Sequence, residues 1–117
     1  MKKRIILSLI VLSGIALIYS CSSNTVKPGP APAAAATVSV QNFAFVPDTV
    51  TIKAGGSITW TNKDTAPHTV TELSSAFDSG SLATNQTFNF TFNTAGTFKY
   101  HCLIHSMMKT AVVIVTN

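Results

Sequence analysis

Charge is scarce in this sequence. Of 117 residues only four are acidic and eight basic, and three of the basic ones, Lys2, Lys3 and Arg4, stand together ahead of an apolar run. Past that triplet the basic and acidic residues nearly balance. The pI of about 9.3 therefore belongs to the N-terminal end, and no basic patch remains to argue for nucleic acid as a partner. A long hydrophobic run is missing too. The stretch from Ile5 to Tyr19 is broken by Ser8, Ser13 and Gly14, and falls short of the roughly 20 apolar residues that a bilayer span needs. With its basic start it reads as a secretory signal over residues 1–20. From Thr37 onward no stretch carries a helical period. A Ser/His/Asp set of credible geometry and a phosphate-cradling glycine loop are both lacking, which removes the commonest grounds for an enzyme. Cysteine is almost absent, with two in the chain.

The first cysteine closes the apolar run, in Leu17-Ile18-Tyr19-Ser20-Cys21-Ser22-Ser23. This resembles the lipobox of bacterial lipoproteins, in which cleavage precedes a cysteine that then carries acyl chains. Leu17 and Ser20 fit, and the bulky Tyr19 departs from the pattern. The resemblance implies a lipid anchor at Cys21 in the cell envelope, facing the periplasm, and several acyl chains hold where one would be marginal. Ser22 offers no inner-membrane retention signal, which favours the outer membrane. The other reading is an ordinary signal peptide cleaved nearby, with Cys21 a free or disulfide-bonded thiol. If Cys21 is the anchor, Cys102 is an unpaired thiol in an exported protein, and a metal would account for it.

Residues 21–36 hold Cys21 and then Ser, Pro and Ala, including Pro28-Gly29-Pro30-Ala31-Pro32. Such a composition makes an extended tether. Residues 37–117 form the one domain, and about 80 residues can build one modest core. Its pattern is strand-like throughout. Val50 and Ile52, Ile58 and Trp60, Phe88, Phe90 and Phe92, and Phe98, Tyr100 and Cys102 each alternate with polar neighbours. Strands are expected near 37–43, 49–53, 57–62, 68–72, 86–92, 97–102 and 110–116. The expected fold is all-β, an antiparallel Greek-key sandwich of about seven strands in two sheets. Val38/Val40 and Phe43/Phe45 fall out of phase, so a bulge is expected between them. Ala111 to Val115 is continuously apolar, as for a strand buried on both sides. Phe43, Phe45, Trp60, Phe88, Phe90, Phe92 and Phe98 are expected in the core.

The chemistry concentrates in Tyr100-His101-Cys102-Leu103-Ile104-His105-Ser106-Met107-Met108, a Cys-x2-His-x2-Met spacing directly after a strand. Cys102 shares a face with Phe98 and Tyr100, while His105 and Met108 follow on a loop short enough to curl back to the sulfur. His101 alternates with Cys102 and should point away. A second imidazole is available at His68, after Asp64-Thr65-Ala66-Pro67. Two imidazoles and a thiolate with a weak axial thioether form the donor set of a blue copper site. Sulfur suits Cu(I) and imidazole Cu(II), so one arrangement serves both states. Zinc would gain little from the methionine, and calcium or magnesium would want oxygens that do not cluster here.

Residues 37–117 resemble the cupredoxins, in particular the amicyanin and plastocyanin-like group. The resemblance is carried by Phe45-Val46-Pro47, Val50-Thr51-Ile52, the Gly55-Gly56 turn and Ile58-Thr59-Trp60-Thr61-Asn62. It continues through Pro67-His68-Thr69-Val70, Phe77-Asp78-Ser79-Gly80, Ala95-Gly96-Thr97-Phe98 and the Cys102 loop. It implies His68, Cys102 and His105 as equatorial ligands and Met108 as the axial one. It also implies a monomer passing single electrons to protein redox partners that dock near His105. The family commonly has Asn where this chain has Thr69, and often Gly where it has Thr110. Leu103, Ile104, Met107, Ala66 and Pro67 are candidates for an apolar docking patch. The leading function is thus a membrane-tethered one-electron carrier with one copper ion. The alternative is copper storage or delivery, for which the chain offers few methionines and histidines. Copper oxidases and nitrite reductases need further ligand sets, and the Cys-x3-Cys of a binuclear copper centre is absent.

Overall fold

A computed structural model describes residues 35–117; the signal, Cys21 and the tether up to residue 34 lie outside the described residues. Eight strands follow one another: β1 (Ala35–Gln41), β2 (Ala44–Val46), β3 (Thr49–Lys53), β4 (Gly56–Asn62), β5 (Thr71–Glu72), β6 (Thr87–Phe92), β7 (Gly96–His101) and β8 (Ala111–Thr116). They form two four-stranded sheets, in the orders β2-β1-β4-β6 and β3-β8-β7-β5. The all-β sandwich expected from the alternation is present, and no helix occurs among the described residues.

The sheets are mixed rather than antiparallel throughout. β1 runs parallel to β4, with Val38 opposite Trp60, and β3 runs parallel to β8, with Ile52 opposite Val115. The remaining pairings are antiparallel. Alternation reports which face a residue occupies and is silent on the direction of the neighbouring strand. The turn at Ala54–Gly55 carries the chain from one sheet to the other instead of closing a hairpin, so β3 and β4 are neighbours in sequence but not in a sheet.

Between Val40 and Phe45 the expected bulge is a tight hairpin. Val40 pairs with Phe45 and Gln41 with Ala44, and the two turn residues, Asn42 and Phe43, both have left-handed backbones with φ of 53° and 56°. That is the twist a two-residue hairpin demands. Asn tolerates it, whereas a bulky Phe does so only at a cost of about 1–3 kcal/mol. The hairpin puts Val38, Val40 and Phe45 in the core and leaves Phe43 45% exposed, so Phe43 is not the core residue expected. β8 differs likewise. Ala111, Val113 and Val115 are buried while Ile114 is 37% exposed, so only one face of the strand is covered. The strand expected over 68–72 is reduced to Thr71–Glu72, preceded by an isolated bridge between His68 and Leu82.

Trp60 sits at the centre of the core. Its ring lies 5.5 Å from Phe77, 5.6 Å from Phe88 and 5.5 Å from Tyr100. The sandwich is polarised along its strands. Ala35 pairs with Ser57 at one end of β4, while Asn62, at the other end, reaches the loops that carry His68. Those loops, the β7–β8 connection and the Asn42–Phe43 turn meet at a single pole.

Candidate metal centre

The buried side chain of Asn62 organises this pole. Its amide donates to the carbonyls of Ala66 (2.9 Å) and Leu82 (2.8 Å), and its Oδ1 accepts the N–H of Asp64 (2.9 Å). The loop from Lys63 to Pro67 is thereby held against the start of the segment that carries His68. Backbone bonds between His68 and Leu82, in both directions, finish the job at 3.1 and 2.7 Å. His68 arrives fully buried with its two ring nitrogens assigned different tasks. Nε2 meets the Asp64 carboxylate at 2.8 Å, and Nδ1 faces the interior of the site. A carboxylate behind an imidazole fixes both the tautomer and the plane of the ring.

The Asp64 carboxylate meets three groups. Beyond His68, it accepts the N–H of Asn42 at 2.7 Å and that of Phe43 at 3.0 Å. Burial works to raise its pKa, but the two turn amides and the imidazole together outweigh it and hold the carboxyl below the ordinary 3.8.

Cys102 follows the last residue of β7 and is buried, a free thiol. Its Sγ lies 3.7 Å from His68 Nδ1 and 3.9 Å from His105 Nδ1, and the two Nδ1 atoms are 3.2 Å apart. Three donors each about 2.0–2.3 Å from a shared ion in a trigonal plane stand roughly 3.5–3.9 Å from one another; the two sulfur–nitrogen spacings match that range, and the nitrogen pair at 3.2 Å need part by only a few tenths of an ångström to admit a single metal. The N–H of Thr69 points at Sγ from 3.3 Å, a donor suited to a thiolate. His105 is half-buried, and its carbonyl accepts the N–H of Met108 at 3.0 Å. This turn returns Met108 to the interior, where its side chain is 5% exposed. Of the four ligands expected from the sequence, His68, Cys102 and His105 converge as donors, and Met108 is buried on the same loop. His101, the last residue of β7, pairs with Thr71 and is outside the cluster, as alternation implied.

The cluster sits on an all-β sandwich whose sequence matches a family model for a cupredoxin-like domain over residues 8–115. The chain belongs to the cupredoxin-like family. Amicyanin-alpha from Methylorubrum extorquens is 37% identical over 89 residues, 72% of this chain and 75% of that one. Chloroplastic plastocyanin from Tetradesmus obliquus is 31% identical over 107 residues, 82% of this chain and 68% of its relative. Among solved structures, a purple cupredoxin from Nitrosopumilus maritimus superposes with a TM-score of 0.64 at 26% identity, covering 69% of this chain and 99% of the other.

Cupredoxin-like sequence patterns exposed the four ligand candidates but not what holds them. Asp64 was visible only as a loop residue four places before His68, and Phe43 only as another aromatic. Around the half-buried His105 lie exposed Leu103, Ile104 and Met107, the last 83% exposed. Pro67 is exposed and Ala66 half-buried. Below Cys102, Tyr100 and Trp60 are fully buried, and neither the phenol oxygen nor the indole nitrogen has a hydrogen-bond partner.

Proposed function

We propose that this protein is a one-electron carrier in which His68, Cys102, His105 and Met108 hold one copper ion of the blue type. The convergence of two Nδ1 atoms and a thiol sulfur, buried and unpaired by disulfide, carries the reading. When bound, the copper supplies the Cu(I)/Cu(II) couple, and the thiolate–imidazole–thioether set accommodates both states. The chain supplies rigidity. Asp64 holds the His68 ring from behind, and Thr69 donates to the Cys102 sulfur. The Asn62 amide keeps the loop before His68 closed. Donors that stay in place when the charge changes keep reorganisation small. His105 is the only one of the three converging donors that reaches the surface, so it is the route by which electrons leave, toward a protein partner seated on the apolar rim of Leu103, Ile104 and Met107.

The lipobox-like Leu17–Cys21 segment and the Ser/Pro/Ala composition after it support a lipid-anchored form. Ala35, where the tether enters β1, pairs with the end of β4 remote from Asn62. Seven residues of strand span about 20 Å, so the chain enters the domain about that far from the pole that carries the donor cluster. That entry point leaves the His105 pole clear of the tether, which supports an anchored carrier that meets its partners in the periplasm.

Two experiments test this. Residues 22–117 with added Cu(II) should give an intense blue band that ascorbate bleaches and oxidation restores. A colourless protein that takes only Cu(I) or zinc overturns the carrier and points to copper handling or a structural metal. Full-length protein expressed in bacteria with labelled palmitate should carry label and sediment with membranes, and Cys21→Ala should do neither. Identical behaviour of the two chains overturns the anchor.

A further inference from the structure

We infer that Phe43 is a positioning residue for the metal centre, its ring set by the β1–β2 turn to restrain the imidazole of His105. The inference rests on the copper reading for its consequence, but its geometry stands without metal.

Three observations meet at Phe43. Its backbone is left-handed (φ 56°), next to a second left-handed residue, Asn42. At the second position of such a turn glycine is the unstrained choice, so a phenylalanine there is held against its own preference. The hold is visible. Asp64 accepts both turn amides with the same carboxylate that meets His68 Nε2. Asp64 is itself anchored, through its N–H to Asn62 Oδ1 and its carbonyl to the Thr84 hydroxyl at 2.7 Å.

The ring that results from this strain is not buried in the core. It stands nearly perpendicular to both imidazoles, 5.3 Å and 84° from His68 and 5.0 Å and 89° from His105. Such edge-to-face packing is favourable and directional. With 45% of its surface in water and a left-handed backbone, Phe43 gains little from core burial, and its contacts with the two imidazoles are the packing it does make.

The two histidines need this contact unequally. His68 is fully buried and is oriented by Asp64. His105 is half-buried, sits on the loop, and has no carboxylate behind it among the described residues. Its ring meets Phe43 on one side and the other donors through Nδ1. Phe43 is thus the side chain placed to stop His105 from tilting out of the donor plane. Through Asp64, one carboxylate sets the plane of His68 directly and that of His105 by way of the hairpin.

Two substitutions separate positioning from stability. Phe43→Gly relieves the left-handed strain and removes the ring. Phe43→Tyr keeps the ring. In the metal-free protein, residues 22–117, NMR should show cross-relaxation between the Phe43 and His105 rings. Phe43→Gly should broaden the His105 ring signals by exchange while leaving the unfolding midpoint equal to or above that of the parent chain. Phe43→Tyr should restore sharp His105 signals. With Cu(II), the glycine variant should bind roughly tenfold more weakly and show a changed EPR hyperfine splitting, and the tyrosine variant should not. Unchanged His105 signals and EPR in Phe43→Gly overturn the inference. Failure of the unsubstituted chain to turn blue would instead overturn the copper reading, and the metal-free NMR result would still decide the role of Phe43.

Discussion

The N–H of Thr69 points at the Cys102 sulfur from 3.3 Å, while the hydroxyl of the same residue accepts the N–H of Leu103, the next residue after the cysteine, at 2.8 Å. One residue thus ties the His68 segment to both sides of Cys102. The hydroxyl continues outward to Thr71 (3.0 Å), and Thr71 to the Asp78 carboxylate (3.1 Å). Thr71 has one proton, and an ionised carboxylate can only accept. Thr71 therefore donates to Asp78, and Thr69 donates to Thr71. The chain of bonds has one direction, from Leu103 to Asp78, and it occupies the place where the family commonly has an asparagine.

Thr69→Val removes that link and leaves the Leu103 N–H without its acceptor. The metal-free protein should lose about 1–3 kcal/mol, measured by urea unfolding, and Thr69→Ser should recover most of it. An unchanged midpoint for the valine variant would show that the link contributes nothing.

Asn62→Ala should cost more. It strands the Ala66 carbonyl and the Asp64 N–H, and it takes one of two donors from the Leu82 carbonyl, which keeps the His68 N–H, so a loss above about 3 kcal/mol is expected. Because the same bonds hold the loop ahead of His68, copper affinity should fall with it, which competition with a chelator would read. A stability loss with unaltered affinity would mean that the loop holds its shape without Asn62.

Tyr100 gives an alkaline signature. Burial pushes its phenol up to about 12 from 10.0, partly offset by the Trp60 indole beside it. The folded protein holds the proton more tightly than the unfolded chain. The resulting stability is therefore complete below pH 10 and is lost as pH rises toward 12, by up to about 1.4 kcal/mol per pH unit. Of the two tyrosines only Tyr100 falls within residues 22–117, so absorbance near 295 nm follows it directly. In the metal-free protein, ionisation at pH 10 without unfolding would contradict this.

Met107→Asp places a charge on the apolar rim at its most exposed point. It should slow electron exchange with a protein partner while the blue band stays as it was. Equal rates for the two chains would remove Met107 from the docking surface.

Local pattern carried much of this protein. The period of two placed β3, β4, β6 and β7 within a residue or two, because a half-buried strand must alternate whatever it pairs with. The Cys102–His105–Met108 spacing was legible because three donors on one short loop are neighbours in space by chain connectivity. His68 could be named because few other imidazoles were available. The out-of-phase valines and phenylalanines at 38–45 announced an irregularity, and a bulge and a hairpin leave the same trace in a sequence.

Tertiary structure alone decided the rest. Strand direction is invisible to alternation, so the parallel β1–β4 and β3–β8 pairs had no signature. The continuous apolar run of β8 could not say that Ile114 faces outward. Above all, Asp64 lies 22 residues from Asn42 and 21 from Phe43, and the three carry no motif. Their joint hold on the two histidines exists only because a hairpin from one sheet folds over a loop leaving the same sheet's neighbouring strand. Which residues can bind a metal is a matter of side-chain chemistry, written in the sequence. How firmly they are held depends on hydrogen bonds between distant segments, and only the fold brings those within reach.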